Sequence, residues 1–334
     1  MPDGAGLDFF DLSPSEESFR EAVLAGLARS RKAIPCKFLY DRRGSALFEE
    51  ICRLPEYYPT RTEIGILEEN ARRIAGRIGP CCRLIDFGSG ESRKARILLE
   101  ALEDPAGYVP VDISRDHLFE AAANLAEDFP ALPVVALCAD YTRPFVLPPL
   151  PDGGGKNVGF FPGSTIGNFE PKAAEAFLLN CARLLGSGGE MLVGVDLKKE
   201  KGVLDAAYND GSGVTALFNL NLLHRINREL DGDLDIAQFR HVAFYNPAMG
   251  RVEIYIESLA EQEARIAGRR FHFDCGELIH TEYSYKYAIP EFQTLAKRAH
   301  FTPVEAWTDA KNLFSVHYLR ANGSAGDGFA GFGE

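Results

Sequence analysis

The chain has 334 residues, with 36 lysines and arginines against 48 aspartates and glutamates, and a formal net charge of −12. That length suffices for a large core, and the acidic balance disfavours non-specific binding to nucleic acid or anionic lipid. The amino terminus lacks the basic start of a signal peptide, and no apolar run reaches the roughly 20 residues of a membrane span. We therefore expect a cytoplasmic, monomeric protein with a small-molecule substrate and with neither nucleic acid nor membrane as a partner.

The seven cysteines are an odd number and are scattered along the chain. Cys81 and Cys82 are adjacent, which is not the C-x-x-C spacing of a metal site. We expect reduced thiols, no disulfide framework and no bound metal.

The first predicted element is a helix in "SPSEESFREAVLAGLARSRKAIP". Ser13 is the expected N-cap, Pro14 occupies the first helical position, Glu16 completes a capping box and Pro35 ends the helix. A loop rich in tyrosine, arginine and proline is expected to follow.

From Arg83 onward, apolar runs alternate with amphipathic helical segments. Such alternation is typical of an α/β fold with a doubly wound parallel sheet, because crossover helices cover both faces of the sheet. The segments are "RLIDFG", "SRKARILLEALE", "GYVPVDI", "SRDHLFEAAANLAEDF", "LPVVALCADY", "VGFFPGSTIGN", "PKAAEAFLLNCARLLG" and "EMLVGVDL".

The alternation stops near Gly202. A helical stretch, "GVTALFNLNLLHRINRELD", precedes strand-like stretches with a hairpin signal at Asn246, Pro247 and Gly250. One helix and two strands then close the pattern. We interpret residues 201–285 with 14–61 as an inserted α+β substrate-binding lobe, 62–200 with 286–320 as the cofactor-binding domain, and 321–334 as a disordered tail.

The turn Gly88-Ser89-Gly90 follows the first strand of the alternation and precedes a helix. A glycine turn at the carboxyl end of a parallel strand lets the backbone approach a ligand closely. Arg93 stands where a dinucleotide fingerprint needs a third small residue, and the lysine of a P-loop is missing. The turn therefore favours a nucleoside without a diphosphate.

Two carboxylates and one aromatic ring follow the next strands. Asp112 suits the ribose hydroxyls, Asp140 suits an adenine amine, and Tyr141 offers an apolar face. In order on successive strands, these residues indicate S-adenosylmethionine.

Five stretches carry a resemblance that covers about residues 15 to 320. They are "FLYDRRGSALFEEICRLPEYYPTRTE", "DFGSGESRK", "FFPGSTIGNFEP", "AYNDGSGVTALFN" and "TEYSYKY". The sequence resembles the histidine-specific Nα-methyltransferases of ergothioneine biosynthesis. The resemblance implies a Rossmann-like class I methyltransferase fold and an enzyme that methylates L-histidine three times with S-adenosylmethionine, giving hercynine, in the first step of that pathway.

The resemblance also implies roles for individual residues. Cofactor contacts fall on Gly88, Ser89, Gly90, Lys94, Asp112, Asp140 and Tyr141. Substrate contacts fall on Tyr57, Asn168, Tyr208, Ile254, Glu282 and Ser284, with Tyr40 and Asn168 as the catalytic pair. Ile254 replaces a methionine of the histidine enzymes, which alters the pocket's shape but not its polarity.

Glu282 and Ser284 are two residues apart, so on a strand they face the same side and suit the two nitrogens of one imidazole. The proton acceptor for the substrate amine stays open between Tyr40 and an ordered water. Two other functions also stay open: an N-methyltransferase of another aromatic amino acid or an indole amine, and a catalytically silent binding module. A nicotinamide-dependent reductase is a distant further alternative.

Overall fold

The computed structural model describes residues 7–12, 18–90, 92–150 and 155–322. The strands are β1 (Leu7–Asp11), β2 (Cys82–Phe87), β3 (Gly107–Asp112), β4 (Val134–Cys138), β5 (Lys156–Phe161), β6 (Glu190–Asp196), β7 (Phe239–Asn246), β8 (Arg251–Ser258), β9 (Gln262–Ile266), β10 (Arg269–Phe273), β11 (Leu278–Tyr285), β12 (Phe301–Thr308) and β13 (Phe314–Ala321). The helices are α1 (Phe19–Leu27), α2 (Arg42–Arg53), α3 (Tyr58–Ile78), α4 (Arg93–Ala101), α5 (Arg115–Asp128), α6 (Pro171–Leu185), α7 (Lys201–Tyr208), α8 (Val214–Glu229) and α9 (Ile289–Arg298). Short 3-10 turns span Cys36–Leu39, Thr165–Asn168 and Ile236–Gln238.

Within the described residues, eight strands form the central sheet in the order β1-β4-β3-β2-β5-β6-β13-β12. The first six of these strands pair in parallel, whereas β13 runs antiparallel to both β6 and β12. This arrangement confirms the predicted α/β, doubly wound, Rossmann-like sheet. The strand order reverses between β2 and β5, so the switch point, where such folds bind ligands, lies beyond the carboxyl end of β2.

The sheet is covered on both faces. Helices α3, α4 and α5 pack against one face, and α6 and α9 pack against the other. Every residue of β4 and β6 is consequently buried, which explains why these strands read as continuous apolar runs rather than as alternating patterns.

A third core lies beside the sheet. It joins buried side chains between residues 22 and 58 with buried side chains between residues 204 and 279, and β7, β8 and β11 form its own antiparallel sheet. The predicted boundary between residues 61 and 62 falls inside α3, so a continuous helix links this core to the central sheet. The exact lobe boundaries stay a prediction.

The amino-terminal segment differs from its prediction. Helix α1 begins at Phe19 and has a capping box made by Ser18 and Glu21, whereas Ser13, Pro14 and Glu16 lie outside the described residues. The helix also ends at Leu27, well before Pro35. The chain folds back there, since the Ala33 amide donates to the Gly26 carbonyl at 3.3 Å.

The loop predicted after α1 was wrong, because α2 and α3 occupy most of that stretch. The α2 sequence is polar except for a narrow stripe, in which Leu47 and Ile51 are buried. Asp41 caps this helix by accepting a hydrogen bond from the Gly44 amide. Leu47, Phe48 and Ile51 recur at helical spacing, so the sequence did carry a signal for this helix, which the prediction of a loop overlooked.

The sequence analysis did not predict β1, α7 or β9. Strand β1 has five residues, and the strand that pairs with it in the described part of the chain, β4, is more than 120 positions away. At the other end, Ala321 belongs to β13, so the strand enters the predicted tail by one residue; residues 323–334 lie outside the described part.

Gly167 is a place where the fold demands glycine. It lies in the turn Thr165–Asn168, and a Cβ built on it would lie 2.6 Å from the Tyr285 carbonyl oxygen of β11. We expect Gly167→Ala to destabilise the protein by about 1–3 kcal/mol, because backbone on either side must move. Thermal or denaturant unfolding measures the loss.

Gly76→Ala is the matched control. Gly76 is exposed within α3, and a Cβ there would have no neighbour within 4 Å. It should stabilise the protein by about 0.5–1 kcal/mol, since alanine favours a helix over glycine. Equal unfolding midpoints for the two variants would contradict the steric argument.

Candidate active site

One cavity of about 450 Å³ extends from the glycine turn after β2 to the inserted strands β8 and β11. Most of the side chains singled out from the sequence line it. They are Tyr40, Tyr57, Gly88, Ser89, Gly90, Lys94, Asp112, Tyr141, Asn168, Tyr208, Ile254, Glu282 and Ser284. The fold therefore brings the predicted cofactor contacts and the predicted substrate contacts together in one cavity. Asp140 is the exception, because it does not line this cavity.

The glycine turn forms a cradle at the switch point. Gly88 has φ +72°, and a Cβ on it would lie 3.5 Å from the Tyr141 ring. The Ser89 hydroxyl is buried without a hydrogen-bond partner among the described residues. A larger residue at position 88 would therefore fill the space beside Tyr141, next to the Ser89 hydroxyl that has no hydrogen-bond partner among the described residues.

Asp86 is a second polar group at this turn, and sequence reasoning missed it. Its Oδ2 accepts a hydrogen bond from the Tyr108 hydroxyl at 2.8 Å, whereas its Oδ1 is buried with no partner among the described residues. Burial raises the pKa of Asp86 to about 7. The signal was available, because a carboxylate within an apolar, fully covered strand is costly unless it has a role.

Asp112 and Tyr141 line the cavity at the ends of the next strands. Asp112 accepts a hydrogen bond from the Ser114 amide at 2.9 Å, and burial raises the pKa of its carboxyl group. The Tyr141 ring packs edge-on against Phe161 and Phe177. Both side chains line the cavity next to the glycine turn, and their contact with a nucleoside stays a prediction.

Asp140 has another arrangement. Its Oδ1 accepts hydrogen bonds from the amide and the hydroxyl of Thr142, at 3.0 and 2.5 Å. The carboxylate thus caps a local turn. A contact from Asp140 to an adenine amine stays a prediction.

Lys94 reaches the cavity from the first turn of α4. Its ammonium lies 2.5 Å from a carboxylate oxygen of Glu63, a fully buried residue of α3. Glu63 also accepts a hydrogen bond from the Gly163 amide at 2.8 Å. One buried carboxylate therefore holds both Lys94 and the turn after β5 in place.

A cluster of aromatic rings from the third core lines the cavity. The contacts are edge-on or tilted, with ring centroids 5.4–6.2 Å apart, between Tyr40 and Phe48, Tyr40 and Phe218, Phe48 and Tyr57, Phe48 and Phe218, and Tyr57 and Tyr208. Burial, with a smaller contribution from Glu282, raises the pKa of Tyr40 well above its ordinary value. Tyr40 therefore remains a neutral phenol.

Glu282 and Ser284 both face the cavity from β11, as the two-residue spacing predicted. Glu282 pairs with Ile254 of β8 across the sheet. Burial raises the pKa of Glu282 to about 7, although Lys286 and the Asn168 side chain act to lower it. The carboxyl group is consequently poised to change its charge near neutral pH.

A buried polar network lies behind Ser284, and sequence reasoning missed it. The Tyr208 and Ser284 hydroxyl oxygens are 2.8 Å apart, and the Lys286 ammonium donates to each of them at 2.8 Å. Lys286 also pairs with Asp196 at 2.7 Å. The alternation of residues 282, 284 and 286 in "TEYSYKY" would have placed Lys286 on the same face.

A second polar wall was also missed. The Asn219 amide donates to the Tyr255 carbonyl at 2.9 Å and lies 3.0 Å from Nδ1 of His241. Because Nε2 of His241 lies 2.9 Å from the Tyr208 carbonyl, which can only accept, the proton of this ring is on Nε2. Burial lowers the pKa of His241, so the ring is neutral.

Within the described residues, no three His, Cys, Asp or Glu side chains are grouped as a metal site would require. In the same part of the chain, no helix combines the length and the apolar character needed to cross a membrane.

Comparison with known proteins places the chain in a family. Residues 19–321 match the family described as histidine-specific, S-adenosylmethionine-dependent methyltransferases. A histidine N-alpha-methyltransferase of Mycolicibacterium smegmatis is 37% identical over 305 residues, which cover 90% of this chain and 94% of that protein. Ergothioneine biosynthesis protein 1 of Neurospora crassa is 33% identical over 302 residues, covering 86% of this chain and 33% of that longer protein.

A more distant relative acts on another substrate. The 4-dimethylallyltryptophan N-methyltransferase of Claviceps purpurea is 26% identical over 338 residues, covering 91% of this chain and 95% of that protein. The match to the histidine-specific group is stronger and spans nearly the whole sequence. The chain is a member of the S-adenosylmethionine-dependent, histidine-specific methyltransferase family.

Proposed function

We propose that this protein transfers methyl groups from S-adenosylmethionine to the α-amine of L-histidine, three times in succession, and so makes hercynine for ergothioneine biosynthesis. The observation that carries the proposal is the single cavity in which the glycine turn after β2 meets Glu282 and Ser284 of β11.

The residues of the glycine turn fit S-adenosylmethionine. Gly88 leaves room beside Tyr141, and the unpaired polar atoms of Asp86 and Ser89 are available for a ligand. The residues that would hold the cofactor are Gly88, Ser89, Gly90, Lys94, Asp112, Asp140 and Tyr141. When bound, S-adenosylmethionine supplies an electrophilic methyl group on a sulfonium sulfur.

The rest of the cavity suits a free histidine. Glu282 and Ser284 would receive the imidazole, and Asn168 and Tyr208 would hold the carboxylate with neutral donors. Tyr57 and Tyr40 would lie near the amine. Phenylalanine has no ring N–H, so with phenylalanine bound the buried polar groups of this site would stay without hydrogen-bond partners. We therefore expect kcat/KM for phenylalanine to be about 10⁴-fold lower than for histidine.

The chain's main contributions are alignment of the amine and exclusion of water. The substrate amine must pass a proton to an ordered water before each transfer, and the neutral Tyr40 phenol can accept a hydrogen bond from an N–H of the amine. Each transfer leaves a singly charged ammonium, permanent only in the trimethylated product, and the surrounding aromatic rings can stabilise this charge through cation–π attraction.

Mass spectrometry of products from a panel of amino acids tests the proposal. We expect mono-, di- and trimethylated histidine, with little product from tryptophan, tyrosine or phenylalanine. Turnover of tryptophan without turnover of histidine would favour the indole-amine alternative. Binding of histidine and S-adenosylhomocysteine by calorimetry, with no product from any amino acid, would favour the silent binding module.

Asp112→Ala tests the cofactor side of the site. Removing a buried carboxylate that pairs with ribose hydroxyls should weaken S-adenosylhomocysteine binding about 10- to 100-fold, as for other hydrogen bonds to charged groups. Calorimetry measures the affinity. Asp116→Ala is the control, because Asp116 is 98% exposed on the same segment; equal affinities for the two variants would contradict the assignment.

A further inference from the structure

Lys286 is the most deeply buried cation of the cavity wall, with its side chain 1% exposed. Its ammonium contacts three oxygen atoms, Oδ2 of Asp196 at 2.7 Å and the hydroxyls of Tyr208 and Ser284 at 2.8 Å each. An ammonium has three protons, so these contacts use all of them. Lys286 therefore acts on a substrate through Tyr208 and Ser284 rather than by touching it.

The ion pair with Asp196 keeps Lys286 charged. Burial lowers the pKa of Lys286, but the Asp196 carboxylate and Tyr208 together outweigh burial and hold this pKa above its ordinary value. Asp196 has further partners on its other side, since Lys199 lies 2.6 Å from Oδ1 and the Tyr58 hydroxyl donates to it at 2.7 Å. The carboxylate would thus keep partners if Lys286 were replaced.

The hydroxyl pair has few ways to arrange its protons. Tyr208 and Ser284 each accept from Lys286, and one of them donates to the other. Within the described residues neither hydroxyl has another hydrogen bond. The hydroxyl that accepts twice has its lone pairs filled and must direct its proton outward, whereas the other keeps one lone pair free. The pair therefore presents one donor and one acceptor, never two donors.

We propose that Lys286 is a positioning residue that assigns these two roles when histidine binds. This inference rests on the proposed function. A substrate carboxylate can only accept, so Tyr208 must supply the outward proton, and Ser284 is left with a lone pair. Ser284 then accepts a ring N–H of the imidazole, while Glu282 faces the other ring nitrogen. Without Lys286, both hydroxyls regain a lone pair and this order is lost.

Lys286→Met is the variant that tests the inference. We expect the KM for histidine to rise about 10- to 100-fold, kcat to change by less than about 3-fold, and the Kd of S-adenosylhomocysteine to stay within about 2-fold. Lys199→Met is the matched control, because it removes the other cation on Asp196 without touching Tyr208 or Ser284. Its KM for histidine should stay within about 3-fold of the wild type.

A double-mutant cycle separates positioning from general stability. If Lys286 acts through Ser284, the two substitutions should not be independent. The fold increase in KM of the Lys286→Met, Ser284→Ala double variant should then be smaller, by about 5-fold or more, than the product of the fold increases of the two single variants. Effects that simply multiply, an unchanged KM in Lys286→Met, or a parallel loss of S-adenosylhomocysteine affinity would each overturn the inference.

Two further results have defined meanings. If Lys286→Met does not fold, Lys286→Gln is measured instead. Its amide can donate to both hydroxyls, so its KM for histidine should stay within about 3-fold of the wild type, and a rise of about 10-fold or more would overturn the inference. A wild-type protein that binds S-adenosylhomocysteine but neither binds nor methylates histidine would overturn the proposed function, and this inference with it. If the wild type methylates histidine but the effects of the two single substitutions on KM simply multiply in the double variant, this inference is overturned and the proposed function stands.

Discussion

Replacing Glu282 by alanine should lower kcat/KM for histidine by about 10²- to 10⁴-fold while leaving S-adenosylhomocysteine affinity within about 2-fold. Glu282 is buried on β11 and lines the cavity, and in the proposed function it receives one imidazole nitrogen. Its loss would leave that nitrogen unpaired in a dry pocket, which is costlier than the loss of a solvent-exposed contact. Steady-state kinetics and calorimetry measure the two quantities.

Glu257→Ala is the control for Glu282→Ala, since Glu257 lies on the adjacent strand β8 and pairs with Arg240 at the surface. It should leave histidine turnover unchanged. Comparable turnover of histidine by Glu282→Ala and the wild type would show that the imidazole does not depend on this carboxylate.

Glu282→Gln adds a test of charge. The pKa of Glu282 is about 7, so the group is protonated below that pH and ionised above it. A neutral imidazole has one N–H, which Ser284 accepts, so Glu282 must donate to the other ring nitrogen and can do so only when protonated. Histidine binding should therefore weaken as pH rises through about 7 in the wild type. Glutamine does not titrate, so its profile should keep only the transition of the free imidazole near 6.5.

The second large effect is expected for Asn168→Ala, which should weaken histidine binding about 10- to 100-fold. Asn168 ends the turn Thr165–Asn168 and lines the cavity. Its amide would donate to the substrate carboxylate, and it also acts to lower the pKa of Glu282. Loss of this amide raises the pKa of Glu282, so the variant should shift the pH at which histidine binding weakens to a higher value.

Histidine titrations at several pH values measure both effects of Asn168→Ala. Asn70→Ala is the control, because the Asn70 amide donates to a carbonyl within α3 and does not line the cavity. An affinity and a pH midpoint equal to those of the wild type would mean that Asn168 contacts neither the substrate nor Glu282.

The parts of the fold that the sequence predicted are those governed by local pattern. The strands β2 to β6 appear as apolar runs because both of their faces are covered, and α4, α5 and α6 show a helical period. Two of the unpredicted elements were missed for different reasons. Helix α2 has a clear helical period, but its many charged residues and the tyrosines and prolines after it suggested a loop. Strand β1 is five residues long and pairs with β4, which is distant in sequence.

For the site, the sequence was most informative where a motif lies on one element. The turn Gly88-Ser89-Gly90 and the pair Glu282 and Ser284 each lie on one continuous segment, and their arrangement follows from strand and turn geometry. Asp86 and Lys286 gave weaker signals, since a single charged residue in a strand is usually read as solvated. Their burial became evident only from the packing of several elements.

The sequence by itself determined the family, the parallel sheet and the position of the glycine turn, because these follow from local periodicity and from motifs of fixed spacing. The tertiary structure alone decided which protons and lone pairs the cavity offers. Tyr208 and Ser284 are 76 positions apart, and their hydroxyls meet Lys286 only because α7 and β11 converge on the end of β6. Hydrogen-bond roles and buried charges depend on such non-local contacts, which no local pattern encodes.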